Sequence, residues 1–168
     1  KICHHRPFDP ANYLPAEVPD IKDLKKYYLI ERPNLIGDLL HFYMSFIIRN
    51  ELKEHQYALY RCLNRYGAIF TGSQIDNFAA RCKQVCEHNP YLFTTRWNEI
   101  FTEQEIVENS KIFRIDRLMI NTAEKESLII DYKSGDIHDP KQLINYKNAL
   151  LKLPALQNYQ IDTKIVPL

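Results

Sequence analysis

Two strand-like runs a short loop apart, Ile112 to Ile120 and Ser127 to Lys133, constrain this chain most, because each carries an aspartate in largely apolar surroundings. Their β-branched and aromatic residues favour extended backbone, and Ser134-Gly135 closes the second run with a turn. Joined as a hairpin centred between Ala123 and Glu124, they set Asp116 opposite Asp131. Cross-strand neighbours on one face have Cβ atoms about 4.5–5.5 Å apart. Side chains two apart on a strand share a face, so Lys133 stands beside Asp131, whereas Arg117 points away from Asp116. Two carboxylates about 4 Å apart repel by up to about 4 kcal/mol at an effective dielectric of about 20. Such a pair needs a counter-charge.

Two readings supply one. A divalent cation, Mg²⁺ or Mn²⁺, would find hard oxygen ligands in Asp116 and Asp131, and Lys133 would orient a water or stabilise charge developing on a phosphorane. Alternatively, Asp116 pairs with Arg114 or Arg117 and Asp131 with Lys133, forming a surface salt-bridge ladder. Spacing leaves both open.

A length of 168 residues predicts one domain, with 45% hydrophobic and 26% charged residues typical of a soluble globular chain. The three prolines Pro7, Pro10 and Pro15 mark residues 1–18 as an extended arm or linker ahead of a single domain over 19–168. Starting at Lys1 without an initiator Met, the chain reads as a piece of something longer. The most apolar stretch, Ile36 to Ile48, is interrupted by Asp38, His41 and Ser45, so no membrane span is expected. A net charge of +1 argues neither for nor against a nucleic-acid partner, since metal-binding carboxylates offset phosphate-binding bases. Cys82 and Cys86 are one helical turn apart. With Cys3, His4 or His5 they are candidate metal ligands; the alternative is small buried thiols in a reducing compartment.

Helical periodicity predicts a short helix over Lys22 to Tyr28 and, after a break at Pro33-Asn34, a strong one from Leu35 to about Glu54 with His41 beside its apolar stripe. Further helices are expected over Gln56 to Tyr66 and from Ser73, as N-cap, to about Glu87. Tyr91 to Phe101, Lys111 to Asn121 and Ser127 to Lys133 read as three strands. Asp139-Pro140 then caps a helix running to Pro154, and Ile161 to Val166 is a last strand. The order predicts an α+β fold, a small mixed β-sheet flanked by helices.

Four segments, in order, resemble the RecB-type branch of the PD-(D/E)XK nuclease superfamily, found at the C-terminal end of helicase–nucleases. Gly37-Asp38-Leu39-Leu40-His41 resembles its first helix, and Phe113-Arg114-Ile115-Asp116-Arg117 its G-x-x-D-R strand. Asp131-Tyr132-Lys133-Ser134-Gly135 resembles D-Y-K-[ST]-G, and Gln142-Leu143-Ile144-Asn145-Tyr146 resembles Q-L-x-x-Y. The resemblance implies a restriction-endonuclease-like core and a metal-dependent deoxyribonuclease of the exonuclease kind. It implies Mg²⁺ or Mn²⁺ held by His41, Asp116, Asp131 and the Tyr132 carbonyl, catalysis by Asp116, Asp131 and Lys133, and substrate contacts from Gln142 and Tyr146. The implied setting is DNA end processing and recombinational repair, cytoplasmic and nucleoid-associated, with DNA as substrate and a helicase domain or subunit as partner.

Phe113 stands where the family has Gly, and an accessory acid before the strand aspartate falls best on Glu99, with Glu105 as a rival. No cysteine follows Cys86, so no iron–sulfur cluster is expected. Taken alone, His41 reads equally as a core histidine, Gln142 as a capping partner of Asp139, and Tyr146 as a packing aromatic. Arg114, Lys141 and Lys147 are candidate phosphate contacts or solvated charges. The alternative function is a nuclease-fold module that no longer cleaves and instead binds DNA or docks on a helicase. A plain protein-interaction domain would leave Asp116 and Asp131 far apart.

Overall fold

A computed structural model describes residues 35–108, 111–135 and 140–168. The expected arm over 1–18, the Lys22 to Tyr28 helix, the Pro33-Asn34 break and the Asp139 cap lie outside them. The described residues form an α+β domain with a mixed four-stranded sheet. Helices α1 (Leu35–Met44), α2 (Leu52–Tyr66) and α3 (Gly72–His88) precede a 3₁₀ turn at Pro90–Phe93 and strands β1 (Glu99–Glu108), β2 (Lys111–Asn121) and β3 (Glu126–Lys133). Helix α4 (Pro140–Leu151) then crosses over to β4 (Gln160–Pro167). Sheet order follows chain order; β1–β2 and β2–β3 are antiparallel, whereas β3–β4 is parallel. The parallel pair needs the α4 crossover, since a tight turn cannot return a strand in the same direction. No helix among the described residues is long and apolar enough to cross a membrane.

One apolar cluster joins α1, α2 and α3 to one sheet face through Met119, Ile130 and Tyr132; the other joins α4 to Leu118, Ile120, Ile129 and Ile161 on the opposite face. Cys62, Cys82 and Cys86 are free thiols buried in the first cluster. Burial pushes Cys62 up to about 11 and Cys86 up to about 12, so both stay protonated at neutral pH.

Several boundaries differ from the sequence-based expectation, among them the end of the helix before β4, which stops at Leu151 rather than Pro154. The helix from Leu35 ends at Met44, although the buried Ile47 continues its apolar rhythm. Asn50 takes φ 62, and the Glu54 carboxylate accepts the Arg49 and Glu51 N–H groups, which fixes a new helix start at Leu52. The next helix is capped by Thr71, whose hydroxyl accepts from the Gln74 N–H while the Gln74 side chain accepts from Thr71 N–H; Ser73 is already inside. Tyr91 to Phe101 is not one strand. Pro90 opens a 3₁₀ turn, Trp97 Nε1 donates to Tyr91 O at 3.0 Å, and the strand starts only at Glu99. It then runs through Thr102-Glu103-Gln104-Glu105, a polar stretch that an edge strand tolerates.

The hairpin register is the expected one: Arg117 pairs with Ile130 and Asn121 with Glu126. That ladder stops at Arg117. Beyond Ile130, β3 pairs only with β4, starting at Asp131 with Ile165, so β2 and β3 diverge at the row holding Asp116 and Asp131. The β1–β2 ladder also skips this row, pairing Thr102 with Arg117 and Gln104 with Ile115 but not Glu103 with Asp116. Both strands change face here. Met119 and Ile100 pack on the α1–α3 side, whereas Ile115 and Ile106, of the same respective parity, pack on the α4 side. Glu103, at φ 51, is where the β1 backbone departs from extended geometry.

Arg117 anchors the helical layer to this distorted row. It is 0% exposed and donates to Ile47 O (2.6 Å), Ile48 O (2.8 Å) and Leu92 O (3.0 Å), with its guanidinium 4.8 Å from the Phe93 ring centre. Burial pulls its pKa down, and three carbonyls rather than a carboxylate compensate. Lysine cannot span three acceptors in that fork. We predict that Arg117→Lys costs about 2–4 kcal/mol in urea unfolding; an unchanged midpoint and slope would contradict this anchoring role.

Candidate active site

The diverging strands open a cavity of about 890 Å³ lined by Asp116, Asp131 and Lys133 from the sheet, His41 from α1, and Gln142 and Tyr146 from α4. Gly37 lets α1 approach closely, because a Cβ there would lie 2.6 Å from Ser134 Oγ at the end of β3. His41, one turn later, therefore reaches the sheet, and its Nδ1 lies 3.4 Å from Asp116 Oδ2. The same carboxylate oxygen accepts the Tyr132 N–H at 2.7 Å, a bond from β3 that replaces the missing ladder contact. Tyr132 thus meets Asp116 through its backbone N–H, while its ring packs edge-on to His41 at 6.3 Å.

The acid that the structure brings to His41 and Asp116 is Glu103. Donor atoms of His41, Glu103 and Asp116 lie within 4.8 Å of one another. The sequence-based candidates stand elsewhere: Glu99 pairs with Ile120 at the far end of β1, beside a separate groove, and Glu105 lines that groove as well. Glu103 carries no apolar alternation to flag it, and its cross-strand position opposite Asp116 becomes evident only from the β1–β2 register.

Asp131 lies one strand further along the row and is 2% exposed. Lys133 Nζ forms an ion pair with its Oδ2 at 2.8 Å. Lys133 Nζ also donates to Gln142 Oε1 at 2.9 Å, and Gln142 Nε2 donates to Tyr146 OH at 2.5 Å. Tyr146 also packs edge-on against Phe113 at 6.1 Å. Helix α4 thereby holds the lysine from behind.

The salt-bridge ladder holds in only one half. Asp131 does contact Lys133, but Asp116 pairs with neither arginine: Arg114 Nε binds Glu103 at 3.0 Å and Arg117 points into the core. Comparison with known proteins adds no relative: no family model, no curated protein and no solved structure matches the chain.

Every shifted acid and base in the row holds its proton more tightly than usual. Burial, then the Asp116 charge, raises Asp131 against the opposing pull of Lys133. Burial raises Glu103 too, with Asp116 adding to it and Arg114 opposing. For His41 burial works against the imidazolium, yet its hydrogen bond to Asp116 and the charges of Asp116, Glu103 and Asp131 together raise it. The residues fit a divalent cation. They combine two carboxylates and an imidazole whose donor atoms converge, with the buried Asp131 carboxylate beside them, a set whose repulsion a cation relieves.

His41 contributes stability below its unfolded value near 6.5 that is lost as pH rises through its higher folded value. Asp131 and Glu103 disfavour the fold once ionised, so stability also falls as pH climbs from about 4 through their raised values. We predict that Asp131→Asn raises the metal-free melting temperature at pH 7 by at least about 2 °C, roughly 1 kcal/mol in a chain of this size. Calorimetry in EDTA checks it; a lower melting temperature would mean that Asp131 stabilises the fold as an anion.

Proposed function

We propose that this domain is a metal-dependent DNA nuclease that hydrolyses phosphodiester bonds, with a restriction-endonuclease-like core of the RecB-type branch. The observation that carries the reading is the row Glu103–Asp116–Asp131, three acids across three adjacent strands where the sheet opens, with Lys133 beside the last and His41 over the middle one. A structural salt-bridge network would pair each acid with a cation of its own, whereas Asp116 pairs with neither Arg114 nor Arg117 and meets His41 at 3.4 Å. The antiparallel hairpin followed by a helical crossover to a parallel strand supports the core assignment.

His41, Glu103 and Asp116 would hold Mg²⁺ or Mn²⁺, with Asp131 as the neighbouring carboxylate. When bound, the cation supplies Lewis-acid polarisation of the scissile phosphate and a lower pKa for the attacking water. The Tyr132 N–H fixes the Asp116 rotamer, so the carboxylate is in place before substrate arrives. Lys133, held between Asp131 and Gln142, places an ammonium where the phosphorane gains negative charge and orients the water for in-line attack. Water attacks phosphorus, the ester P–O bond breaks, and its oxygen leaves with the other nucleotide. No covalent enzyme intermediate is required. Gln142 and Tyr146 steady Lys133 and border the substrate path. The natural setting in this reading is the nuclease module of a helicase–nuclease acting on DNA ends.

The test is cleavage of labelled single- and double-stranded DNA with Mg²⁺ or Mn²⁺. Asp116→Ala, Asp131→Ala and Lys133→Ala should each lower the rate on the order of 100-fold or more. Glu103→Gln should reduce it strongly, while Glu99→Gln leaves it near wild type. Cleavage that survives the first three substitutions would sink the proposal, and dependence on Glu99 rather than Glu103 would overturn the ligand set.

A further inference from the structure

We propose that the outer face of α2 carries a track that leads a single nucleic-acid strand into the carboxylate cavity, with Arg61 and Arg65 as phosphate contacts on a platform of Phe42, Phe46 and Tyr57. The inference rests on the nuclease reading for the chemistry at its inner end, but its evidence lies outside the acidic row. Tyr57, Arg61 and Arg65 recur at every fourth position of α2 and so form one stripe along the helix. The Arg65 guanidinium lies 4.4 Å from the Phe42 ring centre, and that of Arg61 lies 5.2 Å from Phe46 and 5.6 Å from Tyr57. Phe42 meets Phe46 edge-on at 4.9 Å, and Phe46 meets Tyr57 at 5.3 Å. The five side chains make one continuous strip. Its Phe42–Arg65 end lines the same cavity as Asp116 and Asp131.

Charge distinguishes these arginines. Arg96 and Arg114 are neutralised by Glu124 and Glu103, whereas neither Arg61 nor Arg65 has a carboxylate within ion-pair distance among the described residues. Arg61 instead donates to Tyr57 OH at 2.7 Å. A guanidinium stacked on a ring leaves in-plane N–H edges free for a bidentate phosphate contact, and its restricted motion lowers the entropy cost of binding. Tyr57 is 49% exposed and offers a face on which a base stacks. The acidic row repels a phosphodiester, so positive charge at the rim of the same cavity offsets that repulsion as the strand enters. An acidic peptide would satisfy the arginines but not the aromatic faces.

The experiment is fluorescence anisotropy of labelled oligothymidylates, about 4–20 nucleotides long, on the intact chain in EDTA, where binding is read apart from cleavage. Affinity should rise with length and level off once the strip is covered. Replacing Arg61 and Arg65 together by alanine should weaken binding about tenfold or more and flatten the salt dependence by roughly 1.4 log units per decade, the share of two single-strand phosphates. The Arg61→Lys, Arg65→Lys pair, which keeps charge and surface character, should retain most of the salt slope while losing part of the affinity. Wild-type-like binding with an unchanged slope in the alanine pair would overturn the track. So would no binding by the native chain, or equal competition by polyglutamate of matched length. Arginine-dependent binding without cleavage under any metal leaves the track and removes the nuclease reading; cleavage with arginine-independent binding does the reverse.

Discussion

Mutual repulsion among Glu103, Asp116 and Asp131 is the constraint around which the rest of the domain is arranged. A regular sheet would bring the three carboxylates side by side at hydrogen-bonded spacing. The structure instead interrupts both ladders at this row, lets β2 and β3 diverge, and brings Tyr132 N–H, His41 and Lys133 against the anionic oxygens. Compensation stays incomplete, since Asp131 and Glu103 still hold protons unusually tightly. Backbone regularity is given up to keep acids that the fold itself does not need, which is the pattern expected of a site rather than of a core.

Two cations on opposite faces of the sheet have different tasks. Arg117 is sealed among backbone carbonyls and ties the segment after α1 and the 3₁₀ turn to β2, which sets where His41 stands relative to Asp116. Lys133 remains partly open to the cavity and is held by Gln142 and Tyr146, so its charge is available to whatever enters. Gly37 completes the frame by letting α1 close on Ser134. Each motif segment of the sequence thereby touches another across the cavity.

Alternation of apolar residues made the β2–β3 hairpin, its register and the shared face of Asp131 and Lys133 legible in the sequence, because a buried face leaves only one pairing that hides it. Glu103 was illegible for the same reason. It lies in a polar edge strand with no alternation, at a positive φ where both strands change face, and period-two reasoning fails there. The break after Met44 was hidden by Ile47, which keeps helical rhythm while the backbone turns, and by a Glu51–Glu54 cap that resembles helix interior. Arg61 and Arg65 belong to no motif in the sequence, and only their stacking on Phe46 and Phe42 sets them apart.

The central claim is that the acidic row is a cation site, and anomalous diffraction from crystals soaked in Mn²⁺ tests it most directly. A peak is expected roughly 2.0–2.4 Å from a carboxylate oxygen of Asp116, with Glu103 and His41 among its ligands. A peak elsewhere, or none at this row at millimolar Mn²⁺, would contradict it.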